Sequence, residues 1–124
     1  MSGFEIDPAF QDASIGKSAG VMKWRIENKC PVLQSSNDGR LHTGDAYIIL
    51  NTTENASNKF SYAIHFWLGE ECSVDESGIA AYKSCELDEA LGGIAVQHRE
   101  CQGNESTLFS RMFKDSGGLQ YLPG

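Results

Sequence analysis

The stretch SVDESGIAAYKSCELDEALGG, residues 73–93, carries the side chains best suited to chemistry in this chain. Glu76 stands near its start, and Glu86, Asp88 and Glu89 crowd its end. The stretch reads as a helix over about 74–91. Ser73 with Glu76 fits the S-x-x-E capping box that opens a helix, and Gly92-Gly93 closes it. Acids at the C-terminal end oppose the helix dipole, whose negative pole favours lysine or arginine there. Carboxylates so placed imply a cation or a basic partner. Oxygen ligands of this kind suit Ca²⁺, which accepts irregular sets of carboxylates and carbonyls. Glu76 and Asp88 are twelve residues apart, about 18 Å along a helix at 1.5 Å per residue. They cannot share one ion, so if both bind metal there are two sites. The capping box alone is a competing purpose for Glu76. No EF-hand loop is present.

His42, His65 and His98 with Cys72, Cys85 or Cys101 admit a second chemistry, a Cys–His nucleophile pair. His65 lies in the apolar run FSYAIHFWLG and reads as a hydrogen-bonded core histidine. There is no nucleophile elbow, phosphate loop or zinc spacing, and the chain reads as not an enzyme. The four cysteines, Cys30, Cys72, Cys85 and Cys101, form no CxxC. A chain of this length does not need disulfides, and they read as reduced thiols. Sequons at Asn51, Asn55 and Asn104 arise readily by chance.

The elements that must position these residues follow from the totals. At 124 residues and 40% hydrophobic, the chain suits one core. A net charge of −7 with no adjacent lysines or arginines argues against nucleic acid and anionic lipid as main partners. No apolar run is long enough for a membrane span, and residues 1–20 lack a leader-like run, so a cytoplasmic protein is expected. Residues 1–20, rich in Gly, Ser and Asp, read as a flexible N-terminal arm, and 21–124 as a single domain. VMKWRIEN alternates as a strand, continued by CPVLQ past a bend at Pro31; SSNDGR is a turn. AYIILNT (46–52) is a continuous apolar run, a strand buried on both faces. FSYAIHFWLG (60–69) and IAVQHRE (94–100) are further strands, and LQYL (119–122) a last one. ESTLFSRMF (105–113) is a short helix with Leu108, Phe109, Met112 and Phe113 on one stripe. The sum is an α+β fold, a mixed sheet with helices packed against it.

The long helix has two apolar sides. At about 100° per residue, Ile79, Ala80, Leu87, Ala90 and Leu91 form a stripe that would bury on the sheet. Gly78, Ala81, Tyr82 and Cys85 fall on another side, flanked by Asp88 and Glu89. One reading is a helix buried all round between layers. Against it, burying unpaired acids beside this strip would cost several kcal/mol each. The other reading is an exposed ridge with a cation or basic partner at its foot.

Taken together, DPAF, KWRIEN, TGDAYIIL, IHFWLGEECSVDESGIAA, ELDEALGG and AVQHRECQGNES resemble the first gelsolin-homology domain, over residues 7–114. DPAF and WRIEN look most like the villin, severin and fragmin branches. The resemblance implies a gelsolin-like domain with a five- or six-stranded mixed sheet between one long and one short helix. It implies a calcium-dependent actin-binding module of the actin cytoskeleton that binds monomers and caps filament barbed ends, with weak severing alone. The long helix would dock in the actin cleft through Gly78, Ala81, Tyr82 and Cys85, with Asp88 and Glu89 at the same surface. Two calcium sites are implied: an intradomain one at Gly44, Asp45 and Glu76, and one shared with actin at Asp88 and the carbonyls of Gly93 and Ala95. Tyr82 stands where several relatives carry an aliphatic residue. Relatives continue past YLPG with a Gly-Val segment that completes the intradomain site, so an excised fragment of a longer protein is expected, with a natural single-domain protein as the alternative. Their basic stretch is KDSGGLQYLPG here, which argues against a phosphoinositide site. The competing account is a structural calcium-binding domain without direct actin contact.

Overall fold

The computed structural model describes residues 6–35 and 38–123. Its centre is β4 (Ala46–Glu54), where five consecutive residues, Ala46 to Leu50, are buried. Alternation along a strand sends Ala46, Ile48 and Leu50 into one core and Tyr47 and Ile49 into another. β5 (Phe60–Leu68) returns antiparallel beside β4, after a turn in which Asn55 Oδ1 accepts from the Ser57 and Lys59 amides. β1 (Gly20–Glu27) pairs antiparallel with the other side of β4, and β2 (Cys30–Leu33) closes a hairpin on β1. α1 (Val74–Ala90) then crosses to β6 (Val96–Cys101), which lies parallel to β5. The resulting sheet is five-stranded and mixed, in the order β2-β1-β4-β5-β6.

α1 covers one face over Trp24, Ile26, Ile48, Leu50 and Ile64. The other face is covered by α2 (Thr107–Met112), whose Phe109 packs with Phe113, Trp67 and Leu41. Beside it, β3 (Arg40–His42) and β7 (Gln120–Leu122) form a small parallel sheet. The sheet between a long and a short helix is the architecture expected from the sequence. No helix among the described residues is long and apolar enough to cross a membrane.

Four expectations need correction. CPVL does not continue β1 past a bend at Pro31: the chain reverses at Asn28 and Lys29, whose φ of 50° and 65° make a tight turn, and β2 runs back antiparallel on β1. The N-terminal arm is not loose where it is described: Phe10 and Ile15 are 3% and 6% exposed, and Phe10 meets the Trp24 ring edge-on at 5.3 Å. The Tyr62 hydroxyl donates to the Gly16 carbonyl at 3.0 Å. Two isolated anchors leave no periodic signal, so composition alone suggested a free segment; residues 1–5 lie outside the described ones. Leu108 is 61% exposed rather than on the buried stripe, because a helix of less than two turns buries only Phe109 fully. Ala90 is exposed, while Leu91, one residue on and about 100° round the helix, still packs on the core.

Candidate functional site

The N-terminus of α1 is held by the reciprocal cap that the sequence implied. The Glu76 amide donates to Ser73 Oγ at 3.0 Å, and Glu76 Oε1 accepts from the Ser73 amide at 3.3 Å. Ala80, Ser84, Glu86 and Leu87 form the buried side of the helix. The opposite side carries Val74, Gly78, Tyr82 and Glu89 exposed, with Ala81 and Cys85 half-buried beside them. Tyr82 is 53% exposed and Val74 87%. The strip of Gly78, Ala81, Tyr82 and Cys85 is therefore an outward ridge, and the fully buried helix is excluded. Val74 extends the ridge by one turn. Its spacing of four from Gly78 was the available signal, obscured because a helix-opening valine usually reads as an anchor. A hollow of about 470 Å³ lies along this side, lined by Lys29, Val74, Gly78, Ile79 and Tyr82.

The three acids at the helix end have three different surroundings. Glu86 is 1% exposed and belongs to the fold. Its Oε1 accepts from the Asp7 amide at 2.7 Å, and Lys83 Nζ lies 3.0 Å from its Oε2 and 3.1 Å from Asp7 Oδ2. It needs no external cation, because the arm and Lys83 already compensate it; the helix alone did not reveal this. Glu89 is exposed on the ridge side. Asp88 faces the segment after the helix: its Oδ1 accepts from the Ala95 amide at 2.9 Å and its Oδ2 from Gln97 Nε2 at 3.2 Å. Its carbonyl accepts from the Gly93 amide at 2.8 Å. Gly92 and Gly93 have φ of +89° and +75°, the left-handed conformation that lets the chain fold back on Asp88. The structure thus brings Asp88, Gly93 and Ala95 together. Cys85 joins them through Gln97, its Sγ 3.6 Å from Gln97 Oε1.

The second group flanks the loop between β5 and α1, with Gly44 and Asp45 just before β4 and Glu76 in the first turn of α1. The Gly69 amide donates to the Asp45 carbonyl at 3.0 Å, and the Glu71 amide to the Thr43 carbonyl at 2.9 Å. Gly69 is required there: a Cβ on it would stand 2.2 Å from the Thr43 oxygen. Burial pushes the Cys72 thiol up, and the negative charges of Glu76 and, more weakly, Asp45 push it further. Asp45 is not free, since its Oδ2 accepts from Arg25 Nε at 3.0 Å.

Among the described residues, no three His, Cys, Asp or Glu side chains cluster closely enough to hold a metal. An ion at either group must complete its shell with carbonyls, water or another chain. The donors are all oxygens, which fits Ca²⁺ and not a zinc site. The fit is better at Asp88, where no cationic side chain competes, than at Asp45, where Arg25 does.

His65 is 1% exposed, with Nδ1 2.7 Å from Glu100 Oε2 and its ring stacked on His98 at 4.6 Å. Glu100 also accepts from the Ser106 amide at 2.7 Å and hydroxyl at 2.8 Å. Burial pulls His65 below its ordinary pKa, so the neutral imidazole donates Nδ1–H to a charged Glu100. This is the core histidine expected from the apolar run.

Residues 28–110 match the family described as Gelsolin repeat. The chain is 47% identical over 126 residues to "Actin depolymerising venom protein gelsolin 1" of Platymeris rhadamanthus, covering 99% of this chain and 32% of that protein. It is 49% identical over 115 residues to Villin-2 of Arabidopsis thaliana, covering 92% of this chain and 12% of that protein. Over 119 residues it is 47% identical to Gelsolin of Drosophila melanogaster, covering 94% and 14%. The chain thus spans a third or less of the length of these curated relatives. Among solved structures, a chain of the crystal structure of the Thorarchaeota 2DGel3/rabbit actin complex superposes with a TM-score of 0.65 at 22% identity. The match covers 82% of this chain and 45% of that one, and it bears on the fold alone.

Proposed function

The chain belongs to the gelsolin repeat family, and on that premise we propose that it is an actin-binding module whose α1 ridge docks in a cleft of actin. The observation that carries the reading is the outward ridge itself. An exposed apolar row is flanked by two acids, one of which, Asp88, is held by a backbone amide beside Gly93 and Ala95. The ridge is narrow, with Gly78 and Ala81 allowing close approach and Tyr82 as the large amphipathic anchor of the kind that dominates interfaces. A Ca²⁺ ion at Asp88 and the Gly93 and Ala95 carbonyls would take a further carboxylate from actin, joining two acidic surfaces that otherwise repel. A second Ca²⁺ at Gly44, Asp45 and Glu76 would brace the start of α1 and must displace or share the Arg25 contact. Binding of monomers, capping of barbed ends and weak severing by the single domain follow from one ridge engaging one actin. The domain and the arm segment packed on it act as one unit, in the cytoplasm with the actin cytoskeleton.

The test is fluorescence or sedimentation binding to monomeric actin, with calcium and with chelator, for the native chain and Asp88→Ala. Binding that weakens about tenfold or more without calcium or without Asp88 is expected, since a charge-assisted contact is worth about 1.5–3 kcal/mol. Strong binding indifferent to both refutes the bridging ion. No binding in any condition refutes the actin reading and leaves a structural calcium-binding domain.

A further inference from the structure

Among the described residues, five hollows have a cation in the wall. In four of them a carboxylate shares the wall: Asp12 with Lys17, Asp75 with Lys29 and Lys83, Glu105 with Arg111 and Lys114, Glu70 with Arg99. The fifth has none. It is a polar cavity of about 190 Å³ between β1, β3 and β4, lined by Lys23, Arg25, Gln34, Arg40, His42 and Tyr47. On a chain of net charge −7 this concentration of cations is unlike the rest of the surface.

Each of these cations is ion-paired to an acid that is not part of the lining. Asp38 Oδ2 accepts from Arg40 Nε at 2.8 Å, and its Oδ1 lies 3.4 Å from Lys23 Nζ. The Lys23 side chain is only 4% exposed, and its ammonium is held by the Asp38 and Arg40 carbonyls, each at 3.1 Å. It also lies 5.9 Å from the centre of the Tyr47 ring. Asp45 takes Arg25 through Nε and Nη2. Glu27 adds a more distant charge near Arg25. Among the described residues, Arg25 Nη1 and both Nη groups of Arg40 make no hydrogen bond, so forked donors remain for a ligand in the cavity. The volume suits one tetrahedral group, and guanidinium forks match its oxygens in pairs.

We propose that this cavity is a binding site for a tetrahedral oxyanion, a phosphate or a single phosphoryl group, held by Arg25 and Arg40 beside the buried charge of Lys23, whose three donors are already taken, and linked through Arg25 to calcium at Asp45. The linkage, though not the anion site, rests on the proposed role of Asp45. Arg25 now serves Asp45. A calcium ion there takes over the carboxylate and releases the guanidinium to the anion; an anion draws Arg25 away and frees the carboxylate for calcium. The coupling is therefore positive and reciprocal.

The experiment is an NMR titration of the whole chain, following the Arg25 and Arg40 Nε–H signals. Inorganic phosphate and phenyl phosphate are added against sodium chloride at equal ionic strength. Saturable shifts with the phosphates and not with chloride are expected, weakened about tenfold in Arg40→Gln, the loss of one charge-assisted donor pair. Tighter binding of inorganic phosphate marks the free ion as the ligand, and equal binding marks a phosphoryl group; both support the site. Linear shifts that chloride reproduces overturn it as an adventitious ion effect only. The linkage is read with sulfate, which tolerates dissolved calcium. Sulfate should bind several-fold tighter with calcium in the native chain and equally with and without it in Asp45→Asn. A separate calcium titration without sulfate reports whether Asp45 binds calcium at all. Saturable sulfate binding unchanged by calcium, where that titration succeeds, overturns the linkage.

Discussion

Replacing Glu86 by Ala should dislodge the N-terminal arm and destabilise the whole domain. The carboxylate is 1% exposed and accepts the Asp7 amide at 2.7 Å while pairing with Lys83 at 3.0 Å. Breaking a buried ion pair from one side typically costs about 3–5 kcal/mol. Here Lys83 is 20% exposed and keeps Asp7 at 3.1 Å, so the lost pairing is partly made good by that contact and by solvent. The Asp7 amide, by contrast, loses its acceptor in a partly buried position, at about 1–3 kcal/mol. A net loss of about 2–3 kcal/mol follows, or about 6–15 °C in Tm for a domain of this size. Thermal unfolding by circular dichroism reads the loss, and limited proteolysis between residues 6 and 20 reads the arm. Asp88→Ala, two residues on, should cost only about 1 kcal/mol, since it breaks no ion pair and its Gln97 donor is exposed. A Tm for Glu86→Ala within 2 °C of the native value (about 0.5 kcal/mol), or an arm no more cleavable than before, refutes the assignment of Glu86 to the fold.

Three further outcomes are expected. Tyr82→Asp should weaken actin binding at least about tenfold, as an interface anchor does, while changing stability by no more than about 0.5 kcal/mol because the residue is half exposed; a large Tm loss would return the ridge to the core. Gly69→Ala should cost about 1–3 kcal/mol by overpacking, because its Cβ meets backbone oxygens of Thr43 and Asp45. It should also weaken calcium binding at Asp45, read by calcium titration; unchanged stability would mean the loop yields freely. Stability should fall on acidification. Burial holds His65 below the 6.5 of the unfolded chain, so its contribution is full above 6.5 and is lost as pH falls from there through the folded value. Burial pushes Glu100 up, but the Ser106 amide, His65 and the Ser106 hydroxyl outweigh it, and its contribution is lost in turn as pH falls below 4.5. Tm measured from pH 7.5 downward should drop first through the histidine range, and a His65→Gln chain should lose that first step.

Much of the architecture was legible because it rests on local rules. The run AYIIL needed no partner to declare itself a two-faced central strand, and Ser73, Glu76 and Gly92-Gly93 bounded the long helix within a residue. The ridge of Gly78, Ala81, Tyr82 and Cys85 followed from helical angle alone, and so did its separation from Leu87 and Ala80. Those features depend on periods of 2 and 3.6 residues, which a linear chain carries.

What the sequence left undecided depends on contacts between distant segments. Glu86, Asp88 and Glu89 look alike as three acids at one helix end. Only the docking of Asp7, seventy-nine positions away from Glu86, separates a buried structural carboxylate from one held beside Gly93 and Ala95. The anchoring of Phe10 and Ile15, the capture of Asp45 by Arg25, and the carboxylate-free cavity around Lys23 share the same origin. The charge and type of each residue were fixed by sequence. Which partner each one meets, and whether water reaches it, was decided by the packing of the sheet between its two helices.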